Sequence, residues 1–196
     1  RNLNISELQN QPISPISESY RSLRTNCQDI MAKKETANVD EKGTKKGQVI
    51  LITSLVEGEG KSLSTLNLAL SYTSGGHKTV ILAADLRRQT MHKRMKLDNH
   101  FGLSDYLKGK DDLENIIQSS EIENLDFIGS GPKPRNPGEL ILSFKMKEII
   151  DRLKEMYDFV IIDTPPVGLV SDAKYLMAYS DLNIHVVRHG YTRLDL

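Results

Sequence analysis

Short apolar runs punctuate the chain at Val49-Ile50-Leu51-Ile52, Val80-Ile81-Leu82, Leu125 to Ile128, Phe159-Val160-Ile161-Ile162 and Ile184 to Val187. They are mostly β-branched, too short for helices and too continuous for strands with one wet face, so they predict strands buried on both faces. Helix-compatible stretches lie between them, notably Lys61 to Tyr72 and Gly138 to Met156. The second carries Leu140, Ile141, Phe144, Met146, Ile149, Ile150 and Leu153 on one broad face. Strands alternating with helices predict an α/β fold, a mostly parallel sheet flanked by helices on both faces. Ahead of the first strand, residues 1–16 are polar with Pro12 and Pro15 and read as an irregular lead-in. A helix is expected from Ser17, whose hydroxyl can cap the first amides, to Met31. The mixed, Lys-rich tract from Ala32 to Gly47 reads as a solvated loop.

A length of 196 residues fits one domain spanning 1–196, with an amino-terminal helix and polar loop over 1–47 and a core over 48–196. Hydrophobic residues at 38% can build a packed core, which excludes a wholly disordered or fibrous chain. Lys plus Arg and Asp plus Glu both number 26, so no global positive field favours nucleic acid as a partner. The single cysteine, Cys27, cannot form an intrachain disulfide, which fits a reducing compartment. No apolar run reaches the length of about 18 residues that a membrane-spanning helix needs. The chain opens on Arg1 without a signal-peptide pattern and is expected to be a piece of something longer.

Candidate chemistry begins directly after the first strand, in Thr53-Ser54-Leu55-Val56-Glu57-Gly58-Glu59-Gly60-Lys61-Ser62, where a helical pattern starts at once. Gly58 and Gly60 let backbone amides turn toward an anion, and the helix amino end adds partial positive charge. Lys61 can reach the β- and γ-phosphates, and the Ser62 hydroxyl can bind magnesium. The strict phosphate-loop pattern asks for glycine where Leu55 stands. Two further strands end in acid: Val80-Ile81-Leu82 leads into Ala83-Ala84-Asp85-Leu86-Arg87-Arg88, and Phe159 to Ile162 into Asp163-Thr164-Pro165-Pro166. Ligands in such sheets bind at the carboxyl ends of strands, where Asp85 and Asp163 can hold the metal or its water opposite the phosphates. Together these residues predict a site for ATP or ADP with Mg2+, with Ser62, Asp85 and Asp163 around the metal.

These residues resemble the bacterial tyrosine kinases of polysaccharide export, built on a phosphate-loop ATPase related to the cell-division and partition ATPases. The Gly-Glu-Gly-Lys-Ser loop, Asp163-Thr164-Pro165-Pro166 and Ala83-Ala84-Asp85-Leu86-Arg87 fall where that family carries its nucleotide motifs. Glu18-Ser19-Tyr20-Arg21-Ser22-Leu23-Arg24 matches its Glu-x-x-Arg-x-x-Arg subunit-contact motif. The resemblance implies ATP-dependent phosphotransfer to tyrosine in capsule or exopolysaccharide synthesis, with Lys61, Asp85 and Asp163 catalytic and Asp85 the favoured proton acceptor. It implies nucleotide contacts from Glu57, Gly58, Glu59, Gly60, Lys61, Ser62 and Leu63, and from Arg188 near the base. The implied partners are further copies joined in a ring through Glu18, Arg21 and Arg24, a membrane-anchored polysaccharide co-polymerase segment, fused or separate, and a neighbour's tyrosine-rich tail. The implied setting is the cytoplasmic side of a bacterial inner membrane.

Three features depart from the family pattern. Ala83 replaces the first acid of its Asp-x-Asp-x-Arg motif, Leu55 and Glu57 replace a small residue and a proline, and the chain stops at Leu196 before the acceptor tail. Ala83 keeps open a second reading, a nucleotide-gated scaffold that oligomerises but transfers phosphate poorly. The seven scattered tyrosines read as packing or surface residues and the five histidines as structural.

Overall fold

The computed structural model describes residues 14–33, 46–168 and 172–192. Most of the expected lead-in (1–13) and of the expected solvated loop (34–45) lies outside them. The first helix, α1, runs Pro15–Ala32. Ser14, not Ser17, is its cap: the Ser17 amide donates to Ser14 Oγ at 3.1 Å, and the Ser14 amide donates to Ser17 Oγ at 2.9 Å. Ser17 is the return half of this reciprocal pair, and Pro15 sits in the first turn, where a missing N–H leaves no bond unmade.

The strands β1 (Gln48–Ser54), β2 (Thr79–Ala83), β3 (Ile117–Ser119), β4 (Leu125–Ile128), β5 (Phe159–Asp163) and β6 (Leu182–Val186) form one sheet in the order β3-β4-β2-β5-β1-β6. Neighbours are parallel except for β3, which runs antiparallel to β4 at the edge. The continuous apolar runs have the expected cause. Along β1, Val49 and Leu51 join one apolar layer while Ile50 and Ile52 join the other, and both layers are buried. On one face the cover is α2 (Lys61–Thr73), with Leu66, Ala69 and Tyr72 inward, and behind it α1 with Cys27 and Met31. Three short helices follow β2: α3 (Met91–Met95), α4 (Leu103–Leu107) and α5 (Leu113–Ile116).

Two further expectations need correction. The helix expected over Gly138 to Met156 is two helices, α6 (Pro137–Ile141) and α7 (Phe144–Met156), because Ser143 adopts an extended backbone (ψ 154°) between them. Phe144 is 77% exposed, whereas Met146, Ile149, Ile150 and Leu153, at helical spacing, cover the second face of the sheet. At the other edge β6 is shifted to Leu182–Val186 and alternates between half-buried and exposed residues, as an edge strand with one open side does. A last short helix, α8 (Asp172–Leu176), precedes it.

Candidate active site

β1, β5 and β2 are adjacent and parallel, so their carboxyl ends meet: Ile52 registers with Asp163, and Asp163 with Ala83. The loop from β1 to α2 turns through Gly58 (φ 84°) and Gly60 (φ 101°), both in the left-handed region where a Cβ is strained. A Cβ on Gly60 would meet nothing within 4 Å, so the left-handed backbone and not crowding calls for glycine there.

The outer side of the loop is braced by the segment following β6. Arg188 Nη1 donates to the Gly58 carbonyl at 3.1 Å, Tyr191 Oη donates to the Glu57 carbonyl at 3.0 Å, and the Thr192 hydroxyl donates to Glu59 Oε1. Glu59 Oε2 in turn accepts the Val56 amide at 2.9 Å. Burial alone would push the Glu59 carboxyl up, but hydrogen bonds from Thr192 and from the Val56 and Leu55 amides, with the charge of His185, outweigh it and hold the acid below its ordinary range. Glu59 and Arg188 are therefore placed as braces of the loop's frame rather than as side chains aimed into the hollow.

Beneath the loop, three side chains of α2 converge on the buried carboxylate of Asp163. Lys61 Nζ lies 2.9 Å from Asp163 Oδ1, Ser62 Oγ donates to Oδ2 at 3.1 Å, and Thr65 Oγ1 donates to Oδ1 at 3.3 Å. Thr65 was not singled out in the sequence; it falls one turn beyond Lys61, and its hydroxyl also reaches the Lys61 carbonyl at 3.1 Å. Asp85 is buried, and its Oδ1 accepts the amides of Arg87 and Arg88 at 3.1 and 2.8 Å. Desolvation raises its pKa, with the nearby Asp163 acting in the same direction, and this outweighs the Arg88 and Arg87 amides and the charge of Lys61. The turn carrying Asp85 is anchored at a distance: Arg87 donates from Nε and Nη2 to the two oxygens of Asp172 in α8 at 3.1 and 3.3 Å. No local pattern in the sequence marks Asp172 for that role.

The resulting cleft has a volume of about 440 Å³ and is lined on the loop side by Glu57, Gly58, Gly60, Lys61, Ser62 and Leu63. Asp85, Arg88, Thr90, Lys93 and Arg94 form the opposite wall. Arg88 closes toward Glu57 at 2.7 Å across the mouth. Ser62 and Asp85 line the cleft and Asp163 lies buried beneath it in contact with Ser62, so a hydroxyl and two carboxylates, the hard oxygen donors that magnesium takes, lie at its floor. Ala83 is 2% exposed and packed in the apolar layer next to Asp163, so it adds no polar atom.

The motif Glu18, Arg21, Arg24 divides. Glu18 and Arg21 pair on the exposed face of α1 at 2.8 Å. Arg24 turns inward, with Nη1 donating to the Ser71 carbonyl on α2. Tyr20 Oη, between them, meets Ser64 Oγ in the first turn of α2 at 3.0 Å.

A family model described as an AAA domain matches residues 47–192. The tyrosine-protein kinase YwqD of Bacillus subtilis is 39% identical over 185 residues, which cover 94% of this chain and 73% of that protein. Among solved structures, the kinase domain of the Escherichia coli tyrosine kinase ETK superposes with a TM-score of 0.81 at 33% identity, over 90% of this chain and 65% of that one. MinD of Pyrococcus horikoshii, solved with Mg-ADP, matches with a TM-score of 0.62 at 29% identity, over 71% of this chain and 57% of that one. The sheet and its loop are those of a phosphate-loop nucleotide-binding fold.

Proposed function

The chain belongs to the bacterial tyrosine-protein kinases, and on that premise we propose that it binds ATP with magnesium in this cleft and transfers the γ-phosphoryl group to tyrosine hydroxyls. The observation that carries the reading is the convergence of Lys61, Ser62 and Thr65 on Asp163 at the floor of a cleft that Asp85 also lines. Catalysis of phosphoryl transfer is mostly positioning and charge neutralisation. Lys61 would leave Asp163 to meet the phosphates, the loop amides between Gly58 and Ser62 would hold them, and Ser62, Asp85 and Asp163 would hold the metal. When bound there, magnesium would supply neutralisation of the phosphate charge. The tyrosine Oη–P bond forms as the bond from γ-phosphorus to the bridging oxygen breaks, ADP leaves, and Asp85 takes the phenolic proton.

The motif likeness supports the wider setting: a part in capsule or exopolysaccharide synthesis at the cytoplasmic side of the membrane, beside a co-polymerase segment, with a neighbour's tyrosine-rich tail as acceptor. Glu18 and Arg21 face outward and would supply the subunit contact. Ala83 favours the scaffold reading, because a methyl group neither binds metal water nor accepts a proton. Lys61→Met separates the readings when combined with a phosphotyrosine assay. On the kinase reading, wild type labels tyrosine and the variant loses transfer along with most nucleotide affinity. Unchanged transfer in Lys61→Met overturns the site, and nucleotide-dependent assembly without any labelling favours the scaffold.

A further inference from the structure

We propose that the wall of the cleft opposite the phosphate loop selects acceptor tyrosines flanked by acidic residues, with Lys93 and Arg94 on α3, together with Arg88, as the specificity-determining cations. The inference rests on the phosphotransfer reading and deepens it.

The two walls come from different elements and carry different chemistry. On the phosphotransfer reading, Lys61 and the loop amides, which line the cleft from the α2 side, serve the phosphates. Arg88, Lys93 and Arg94 stand across the cleft, on the turn after Asp85 and on α3. Folding explains only part of α3: Met91 and Met95 are buried and fix the helix to the apolar layer, which leaves Lys93 exposed and Arg94 half-buried toward the cleft. Neither Lys93 nor Arg94 has an ion-pair partner among the described residues. Their charge is therefore available to whatever enters. The bland explanation is that they complement the carboxyl end of a helix, but α3 has five residues and little dipole to offset.

The structure also shows what this wall accepts. Arg88 Nη1 holds the Glu57 carboxylate at 2.7 Å, with both side chains well exposed. A carboxylate already occupies the mouth, through a pair weak enough to exchange. Asp85, Thr90, Lys93 and Arg94 line one cleft, so in the proposed complex an acceptor whose tyrosine Oη reaches Asp85 brings neighbouring residues, spaced about 3.3 Å apart when extended, within range of Lys93 and Arg94. Carboxylates two or three positions from the tyrosine then face these cations, and one of them displaces Glu57 from Arg88.

The test compares three peptides that share one tyrosine, flanked on each side by glutamate, alanine or lysine. Phosphotransfer is measured with wild type and with the double variants Lys93→Ala/Arg94→Ala and Lys93→Glu/Arg94→Glu. Wild type is expected to favour the glutamate peptide over the alanine peptide by about tenfold in kcat/KM, through KM, and the ratio falls as salt rises. The preference collapses in the alanine variant and reverses toward the lysine peptide in the glutamate variant, while the affinity for Mg-ADP holds. Equal use of the three peptides by wild type, or a preference that survives both variants, overturns the proposal. A parallel loss of Mg-ADP affinity in the variants also overturns it, since the cations would then serve the nucleotide. If no peptide is phosphorylated while Mg-ADP still binds, the kinase reading fails by itself. Fluorescence anisotropy of the same labelled peptides on the Mg-ADP-loaded chain then decides the selectivity, and equal binding of the three ends it.

Discussion

Asp163 is the residue on which the site turns, because it is buried at the end of a central strand and three donors of α2 share it. Its place was legible in the sequence only in combination: an acid closing an apolar strand is by itself more often a cap or turn residue, but together with Gly60-Lys61-Ser62 at a strand-to-helix junction it marked a site, and the fold brings Asp163 within 2.9 Å of Lys61. Thr65 was not legible: a threonine on the inner face of a helix looks like any small core residue until the strand end beneath it is known. The same reasoning applies to Ala83, which registers directly with Asp163. A carboxylate there is a second buried acid beside the first, destabilising while unpaired but complementary to metal charge. Ala83→Asp is therefore expected to melt lower than wild type without nucleotide and to gain about tenfold in single-turnover transfer with Mg-ATP, a change of about 1.4 kcal/mol in transition-state stabilisation. Equal or lower transfer at unchanged nucleotide affinity would show that the motif's first acid has no catalytic part. Asp85 adds a pH dependence whose sign follows from burial. A carboxyl raised in the fold is favoured protonated there, so the stability it lends is fully present below its unfolded pKa and is lost as pH rises through the folded value. Only the ionised form accepts a proton, so transfer should fall toward acid pH as Asp85 protonates, at a lower pH than in the nucleotide-free fold because bound magnesium favours the ionised carboxylate. Asp85→Asn should remove this acidic limb, lower the plateau and raise thermal stability near neutral pH. A limb that persists in Asp85→Asn assigns the proton to another group.

At the scale of elements, continuous apolar runs identified the inner strands because burial on both faces leaves no alternation to misread. The rest failed for local reasons. The three residues of β3 are too few to show a period, and Ser143 breaks one apolar face into two helices without a glycine or proline to announce it. α1 shows how a single motif can serve two ends. Its exposed Glu18–Arg21 pair contributes little to folding, about 0.2–1 kcal/mol. Arg24, by contrast, reaches the carboxyl end of α2 and ties α1 to the helix whose first turn carries Lys61. Arg21→Ala should therefore weaken self-association with little change in melting temperature. Arg24→Ala should lower the melting temperature as well, by undocking α1. Light scattering at micromolar protein together with thermal melts checks this pair. Identical oligomers for wild type and the double variant Arg21→Ala/Arg24→Ala would remove the motif from the subunit contact.

For the whole molecule, the two edges of the sheet differ in what they are attached to. At one edge, β6 feeds the segment whose Arg188, Tyr191 and Thr192 brace Gly58, Glu57 and Glu59 from outside the loop. At the other, β3 pairs only with β4, far from the loop in strand order. Edge strands with half-exposed residues open most readily, and a ligand that binds only the closed form suppresses that opening by mass action, about 2.7 kcal/mol at a hundredfold excess over Kd. The braces can transmit such protection only while the loop holds one shape, and the left-handed backbone of Gly58 and Gly60 together with the buried Glu59 carboxylate gives it that shape. Adding Mg-ADP should therefore slow amide hydrogen exchange in the loop, in residues 188–192 and along β6, and leave β3 unchanged. Glu59→Gln should weaken the transmitted part, because it loses the charge that Thr192 and the Val56 amide meet. Protection confined to the loop, or spread equally to β3, would mean that the segment after β6 lies against the phosphate site without holding it.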